Sequence, residues 1–283
     1  MILVAGGTGR LGTIVVSHLV AGGHEVRVFT RDPERARHLN EGPLEIARGD
    51  VRDRRSIESA MNGVTTVVSA VQGFAGPGRV TPESVDRDGN ANLVDAAGRA
   101  GADVVMMSIV GASDDSPMEL FRAKHAAEHH LRAGDAPWTI VRATAFVELW
   151  AEILGKAPVF GRGDNPINFV SVRDVAAVVE RAVDRPELRG RILEVGGPAN
   201  VTFNELAALV QEVRGTRRKL HHVPRWLLRA LAPVARQPRA ALAMDTVDMT
   251  FDAASRRALI ADVPMTALRS ALSDAVVHAR PHS

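Results

Sequence analysis

The stretch Val4-Ala5-Gly6-Gly7-Thr8-Gly9-Arg10-Leu11-Gly12 sets four glycines within seven residues. It follows the apolar run Ile2–Ala5 and leads into a helical pattern over Leu11–Val20. It satisfies both G-x-G-x-x-G (Gly7, Gly9, Gly12) and G-x-x-G-x-x-G (Gly6, Gly9, Gly12). A strand that turns sharply into a helix needs a residue without Cβ at the turn. A second such residue lets backbone N–H groups approach an anion, and a third lets the helix lie close on the strand. The partial positive charge of the helix start then favours a pyrophosphate. Strand, turn and helix arrive in the required order, so Gly6, Thr8, Gly9, Arg10, Leu11 and Gly12 are candidate contacts for a dinucleotide.

The rest of the first half repeats this alternation. Short apolar runs rich in β-branched residues occur at Val26–Phe29, Leu44–Ala47, Thr66–Ala70, Val104–Ile109 and Thr139–Val141. Helical patterns separate them at Arg35–Leu39, Ile57–Met61, Asn90–Ala100 and Met118–Leu131. Unbroken apolar strands separated by helices predict an α/β, Rossmann-like, doubly wound parallel sheet covered on both faces. Beyond about residue 146 the pattern loosens and proline becomes denser. Strands are expected at Ile167–Val170 and Ile192–Val195, and helices at Val172–Asp184, Phe203–Val213 and Trp226–Val234. The expected organisation is a dinucleotide-binding domain over residues 1–150 and a smaller substrate-side lobe over 151–283, packed on the sheet's carboxyl edge where ligands of open α/β sheets bind.

Composition narrows the chemistry. The chain has no Cys, which excludes disulfides, thiolate nucleophiles and thiolate metal sites. No apolar run approaches the roughly 18 residues of a membrane span, and Met1-Ile2-Leu3-Val4 lacks the basic flank of a signal peptide, so a cytoplasmic protein is expected. The net charge is only +2, but Arg214, Arg217, Arg218, Lys219, Arg225, Arg229, Arg236 and Arg239 form a basic block without an acid. No aromatic platform interleaves it, and nucleic acid is not the expected partner. Within it, residues 224–235 are amphipathic, with Arg on one side and Trp and Leu on the other. Such a segment can pack within the molecule, cover a pocket, join subunits or lie on a membrane surface. The oligomeric state stays open.

The tip of the second strand, Thr30-Arg31-Asp32-Pro33, bears on cofactor choice. A carboxylate there binds a ribose 2′-OH, whereas an arginine accommodates a 2′-phosphate. Arg31, with Arg10 and Arg35 nearby, favours NADP(H) over NAD(H), while Asp32 before proline can simply open a turn. Asp50 and Val51 after the third strand are candidate adenine contacts, Asp50 accepting from an exocyclic amine.

These marks, with Ser69-Ala70-Val71, Met107-Ser108-Ile109-Val110-Gly111, Phe121-Arg122-Ala123-Lys124, Trp138–Thr144, Ile167–Val175 and Glu194–Pro198, run through nearly the whole chain. With them the chain resembles the extended and atypical short-chain dehydrogenase/reductases, especially the NmrA-like branch. The resemblance implies cofactor contacts at Ala70, Val71, Lys124 and Thr144, and a substrate-side position for Phe146, which can equally be a core aromatic. It implies hydride transfer to a small-molecule carbonyl or quinone. The family's usual Tyr stands four residues before the Lys; here that position is Leu120, and the chain contains no Tyr. The tyrosine-acid mechanism is therefore excluded, which leaves Lys124 and Ser108 as candidate catalytic groups.

Lys124 is one of only three lysines. It can transfer a proton, hold the nicotinamide ribose, or pair with Glu128 one helical turn on. Ser108 can donate to a substrate oxygen or cap the chain leaving its strand. His125, Glu128 and His129 spell H-x-x-E-H, but they follow Lys124 on the same helix and no further carboxylate ligand can be assigned, so no metal is expected. The alternative to an enzyme is a non-catalytic NADP(H)-binding redox sensor of the NmrA-like kind.

Overall fold

A computed structural model describes residues 1–39, 44–74, 80–252 and 258–278. The chain forms two compact units, one of Met1–Arg142 with Val175–Glu194, the other of Ala143–Asp174 with Val195–Ser283.

The first unit is built on a seven-stranded sheet. Its strands are β1 (Ile2–Ala5), β2 (Val26–Thr30), β3 (Leu44–Arg48), β4 (Thr66–Ser69), β5 (Asp103–Ile109), β6 (Trp138–Ala143) and β10 (Arg191–Val195). They lie in the order β10-β6-β5-β4-β1-β2-β3, and β1 pairs in parallel with β2 and β4, as do β2 with β3 and β4 with β5. The order reverses between β1 and β4, and that switch point opens the crevice in which such sheets bind ligands. Every residue of β1 and β4 is buried, as strands covered on both faces must be. On one side Leu3, Phe29, Ile57, Leu93, Met106 and Leu131 form a continuous core.

The helices of this unit are α1 (Arg10–Ala21), α2 (Arg54–Ala60), α3 (Asp88–Ala100), α4 (Glu119–Ala133) and the greater part of α6 (Val172–Asp184). Two elements depart from the sequence reading. The segment expected as a helix over Arg35–Leu39 is a 3₁₀ helix over Pro33–Leu39, opened by Asp32, whose Oδ1 accepts from Glu34 N at 3.1 Å. The helix expected from Asn90 is preceded by a π-helical turn over Pro82–Arg87. Thr81 starts that turn as a capping box with Ser84, with proline at the first position.

The strand Ile192–Val195, read among those of the smaller lobe, lies instead within β10 at the margin of the large sheet, beside β6. Short apolar strands carry no mark of which sheet they join, because pairing is non-local.

In the second unit β11 (Asn200–Thr202), β9 (Pro166–Val170) and β7 (Ala145–Phe146) form a three-stranded sheet, and β8 (Val159–Phe160) pairs with β12 (His222–Val223). Its helices are α5 (Val147–Leu154), α7 (Phe203–Val213), α8 (Arg225–Leu231), α9 (Arg236–Met244) and α10 (Leu268–His278). Helix α8 stops before Pro233, whose ring cannot continue the pattern expected to Val234. The basic block does meet an acid: Arg225 is hydrogen-bonded to the buried Asp245, which lies just beyond α9. Trp226 and Val234 are 69% and 83% exposed. No helix among the described residues is long and apolar enough to cross a membrane.

Candidate functional site

The glycine turn is closed against the end of β4. Gly6 has φ +86°, and a Cβ there would lie 2.7 Å from Ala70 O and 3.1 Å from Val71 N. A Cβ on Gly12 would collide with Gly6 O, so both positions need glycine for the turn to exist. Gly9 differs. A Cβ on it would meet only Gly6 O, at 3.2 Å, so its outer side is open. Gly9 is also the N-cap of α1, which has no side-chain cap and no acid in its first turn. A closed turn with an open outer side at an uncapped helix start fits a dinucleotide pyrophosphate.

Beside it, Thr8 Oγ1 meets Thr30 Oγ1 at 3.3 Å, and Arg35 Nη2 donates to Thr8 O at 3.2 Å. Arg10, Arg31 and Arg35 are exposed. The Asp50 carboxylate accepts from Arg52 at 2.6 and 3.0 Å, and that pair holds its pKa below the ordinary carboxylate value, with Arg31 adding a smaller pull. The Val51 side chain is part of the core.

Lys124 comes from α4 and is 4% exposed. Its Nζ donates to Val71 O at 3.0 Å and lies 3.0 Å from Oδ1 of Asp86, which is fully buried. Gly6, Ala70, Val71 and Lys124 are thus brought together along the end of β4. Lys124 does not pair with Glu128; its partner is Asp86, on the π-helical turn. Asp86 Oδ2 accepts from Gly73 N at 2.7 Å, and Asn90 Nδ2 donates to Asp86 O at 2.6 Å. Ser69 Oγ in turn lies 2.5 Å from Asn90 Oδ1. Burial pushes the Asp86 carboxyl above its ordinary pKa, against the Lys124 charge and the Gly73 N–H.

Glu128 belongs to a second buried cluster. It accepts from Ser108 Oγ at 2.5 Å and from Arg142 Nε and Nη2 at 2.9 and 2.5 Å. Arg142 Nη1 also reaches Glu194 Oε1 at 3.5 Å. Ser108 therefore gives its only hydroxyl proton to Glu128. This commitment also removes Glu128 from the H-x-x-E-H pattern, and no group of metal-ligating side chains occurs among the described residues.

In the second unit, Thr144 Oγ1 donates to Asn168 Oδ1 at 2.9 Å, and the same oxygen accepts from Gly197 N at 2.8 Å. Phe146 is half-buried in β7.

Sequence reasoning missed Asp86. The available signal was a polar pair one helical turn apart, Asp86 and Asn90, in the stripe continued by Leu93, Val94 and Ala97, after the Thr81-Pro82 helix start.

A family described as NAD(P)H-binding matches residues 6–186. The chain belongs to this family. Within it, the chain falls in the atypical short-chain dehydrogenase/reductase, NmrA-like group. It is 29% identical over 221 residues to an NAD(P)H azoreductase of Xenophilus azovorans, covering 76% of this chain and 74% of that one. It is 31% identical, with the same coverage, to a (4-alkanoyl-5-oxo-2,5-dihydrofuran-3-yl)methyl phosphate reductase of Streptomyces griseus. A photosystem II assembly factor of Synechocystis is 27% identical over 83% of this chain and 74% of that one. Among solved structures, an NADPH complex of an NADPH-dependent quinone oxidoreductase from Escherichia coli superposes with a TM-score of 0.79 at 22% identity, covering 97% and 99% of the two chains. At that identity the likeness is one of fold.

Proposed function

We propose that this NAD(P)H-binding chain is an NADP(H)-dependent oxidoreductase that reduces a small carbonyl or quinone without a catalytic Tyr. The cofactor supplies the hydride. The observation that carries the reading is the buried Lys124 ammonium at the end of β4, hydrogen-bonded to Val71 and next to the glycine turn. The uncapped start of α1 receives the pyrophosphate at Gly6, Gly9 and Gly12, and the one N–H that Lys124 has left holds the nicotinamide ribose or donates toward the substrate oxygen. Ser108 is spent on Glu128 in the free protein, so the donor is Lys124 or a water.

Arg31 takes the 2′-phosphate, with Arg10 and Arg35 beside it. The preference for NADP(H) is supported by these arginines at the strand tip, while Asp32 Oδ1 accepts from Glu34 N and opens the following turn. Ala70 and Val71 line the cofactor, and Asp50 and Val51 flank the adenine; in the second unit Thr144 is the candidate cofactor contact and Phe146 the candidate substrate contact.

Calorimetry with NADPH, NADP+, NADH and NAD+ tests the binding half, and a turnover screen of quinones and aldehydes tests the chemistry. Tight NADPH binding lost in Arg31→Ala, with turnover lowered in Lys124→Ala, is expected. Binding without turnover over the whole panel supports the second reading, a nucleotide-responsive regulator. The missing Tyr favours that reading, as does the relative named an assembly factor.

A further inference from the structure

Burying an ammonium is costly unless an opposite charge and hydrogen bonds meet it. Lys124 meets both conditions in an asymmetric way. Of the three directions in which Nζ donates, one is taken by Val71 O and one faces Asp86 Oδ1, each at 3.0 Å. Nothing among the described residues takes the third. Oδ1 is equally particular: it is buried and accepts no well-aligned hydrogen bond, so the Lys124 charge is what compensates it.

Asp86 is itself fixed from two sides, one of them backed by a further residue. Gly73 N holds its other carboxylate oxygen, Asn90 holds its backbone carbonyl, and Ser69 holds Asn90. Ser69, Val71 and Gly73 all belong to the end of β4 and the segment after it. One strand end therefore fixes both members of the pair, and a π-helical turn, a shape often found at functional sites, presents the acid.

We propose that Asp86 is a positioning residue for Lys124, holding its ammonium charged and oriented so that the third N–H is free for the ligand. This rests on the oxidoreductase reading above for what the N–H touches. The charge relationship stands on the free protein. Among the described residues the surroundings contain no rival partner. On its own turn Glu83 and Arg87 are exposed and paired with each other, and Asp88 binds Arg87. From α4 the charged group meeting Asp86 is Lys124, α3 contributes the neutral Asn90, and Gly73 contributes its backbone N–H. Glu128, one turn along α4, is committed to Ser108 and Arg142.

The chain's three lysines make the test direct, because ¹³Cε-lysine labelling gives three titrating signals and Lys124→Arg identifies one of them. In Asp86→Asn the buried ammonium loses its counter-charge, so the Lys124 midpoint is expected to fall by about one pH unit or more. The alkaline limb of kcat/KM should fall with it. An unchanged midpoint overturns the proposal, as does a uniform loss of turnover with the limb unmoved.

Asp86→Glu keeps the charge but moves the carboxylate by one methylene. It is expected to hold the midpoint while lowering kcat about tenfold, and it decides the matter if Asp86→Asn does not fold. Wild-type kcat in Asp86→Glu overturns positioning. Wild-type protein that binds NADPH but reduces no quinone or aldehyde overturns the oxidoreductase reading alone, since the lysine titration still decides what Asp86 does.

Discussion

The Ser108 hydroxyl donates to Glu128 Oε1 at 2.5 Å, and both side chains are buried. A hydroxyl has one proton to give, and here a carboxylate has it. Ser108→Ala is therefore expected to act on stability rather than chemistry. Removing a hydrogen bond to a charged group should cost about 1.5–3 kcal/mol in urea unfolding. Over the same change kcat/KM should stay within about threefold of wild type, under ~0.7 kcal/mol of transition-state energy. A tenfold loss of kcat/KM at unchanged stability would instead return Ser108 to the catalytic group.

Arg142 is the other half of that cluster, and its removal should be more severe. Arg142→Met leaves Glu128 as a buried carboxylate with only a hydroxyl to answer it. Breaking a buried pair from one side costs roughly 3–5 kcal/mol, and for a unit of this size that lowers Tm by on the order of 10 °C. Glu128→Gln in the same chain should recover part of the loss, because it removes the stranded charge. If the double variant melts no higher than Arg142→Met, the cluster is not held by that charge.

The two buried clusters also mark what the sequence could and could not disclose. The glycine turn was legible because every constraint on it lies within seven residues of chain, and Gly6, Gly9 and Gly12 sit where the pattern puts them. The parallel strands were legible from their unbroken apolar runs. What stayed hidden depends on pairing across the fold. Lys124 stands one helical turn from Glu128, the geometry of a surface pair, yet packing turns Lys124 to Asp86 and Glu128 to Arg142. The placement of β10 beside β6 and the pairing of Arg225 with Asp245 are non-local in the same way. Local periodicity says which face is buried but not which residue waits there.

Asp50 and Arg52 give a pH-dependent case. The Asp50 carboxyl is held below its ordinary 3.8 chiefly by its hydrogen bond to Arg52. A depressed acid contributes stability that is full above the unfolded pKa and is lost as pH falls through the folded one. The pair is partly exposed, so its contribution should be under about 1 kcal/mol. Arg52→Ala is therefore expected to melt a few degrees below wild type at neutral pH, with the two curves converging as the pH drops below that of Asp50's own titration. A Tm gap that persists unchanged in acid would show that Arg52 acts through packing instead.

Gly9 and Gly12 separate building the turn from binding to it. Gly12→Ala drives a Cβ into Gly6 O and should disrupt the first unit, visible as a large loss of Tm. Gly9→Ala meets only Gly6 O at 3.2 Å, a contact that a small backbone shift relieves, so the fold should survive with little change in Tm. The added methyl then stands on the open side of the turn, where a pyrophosphate must approach the backbone. NADPH affinity measured by calorimetry should fall tenfold or more, about 1.4 kcal/mol, in a variant that melts like wild type. Undiminished affinity in Gly9→Ala would mean that the nucleotide does not lie on this turn.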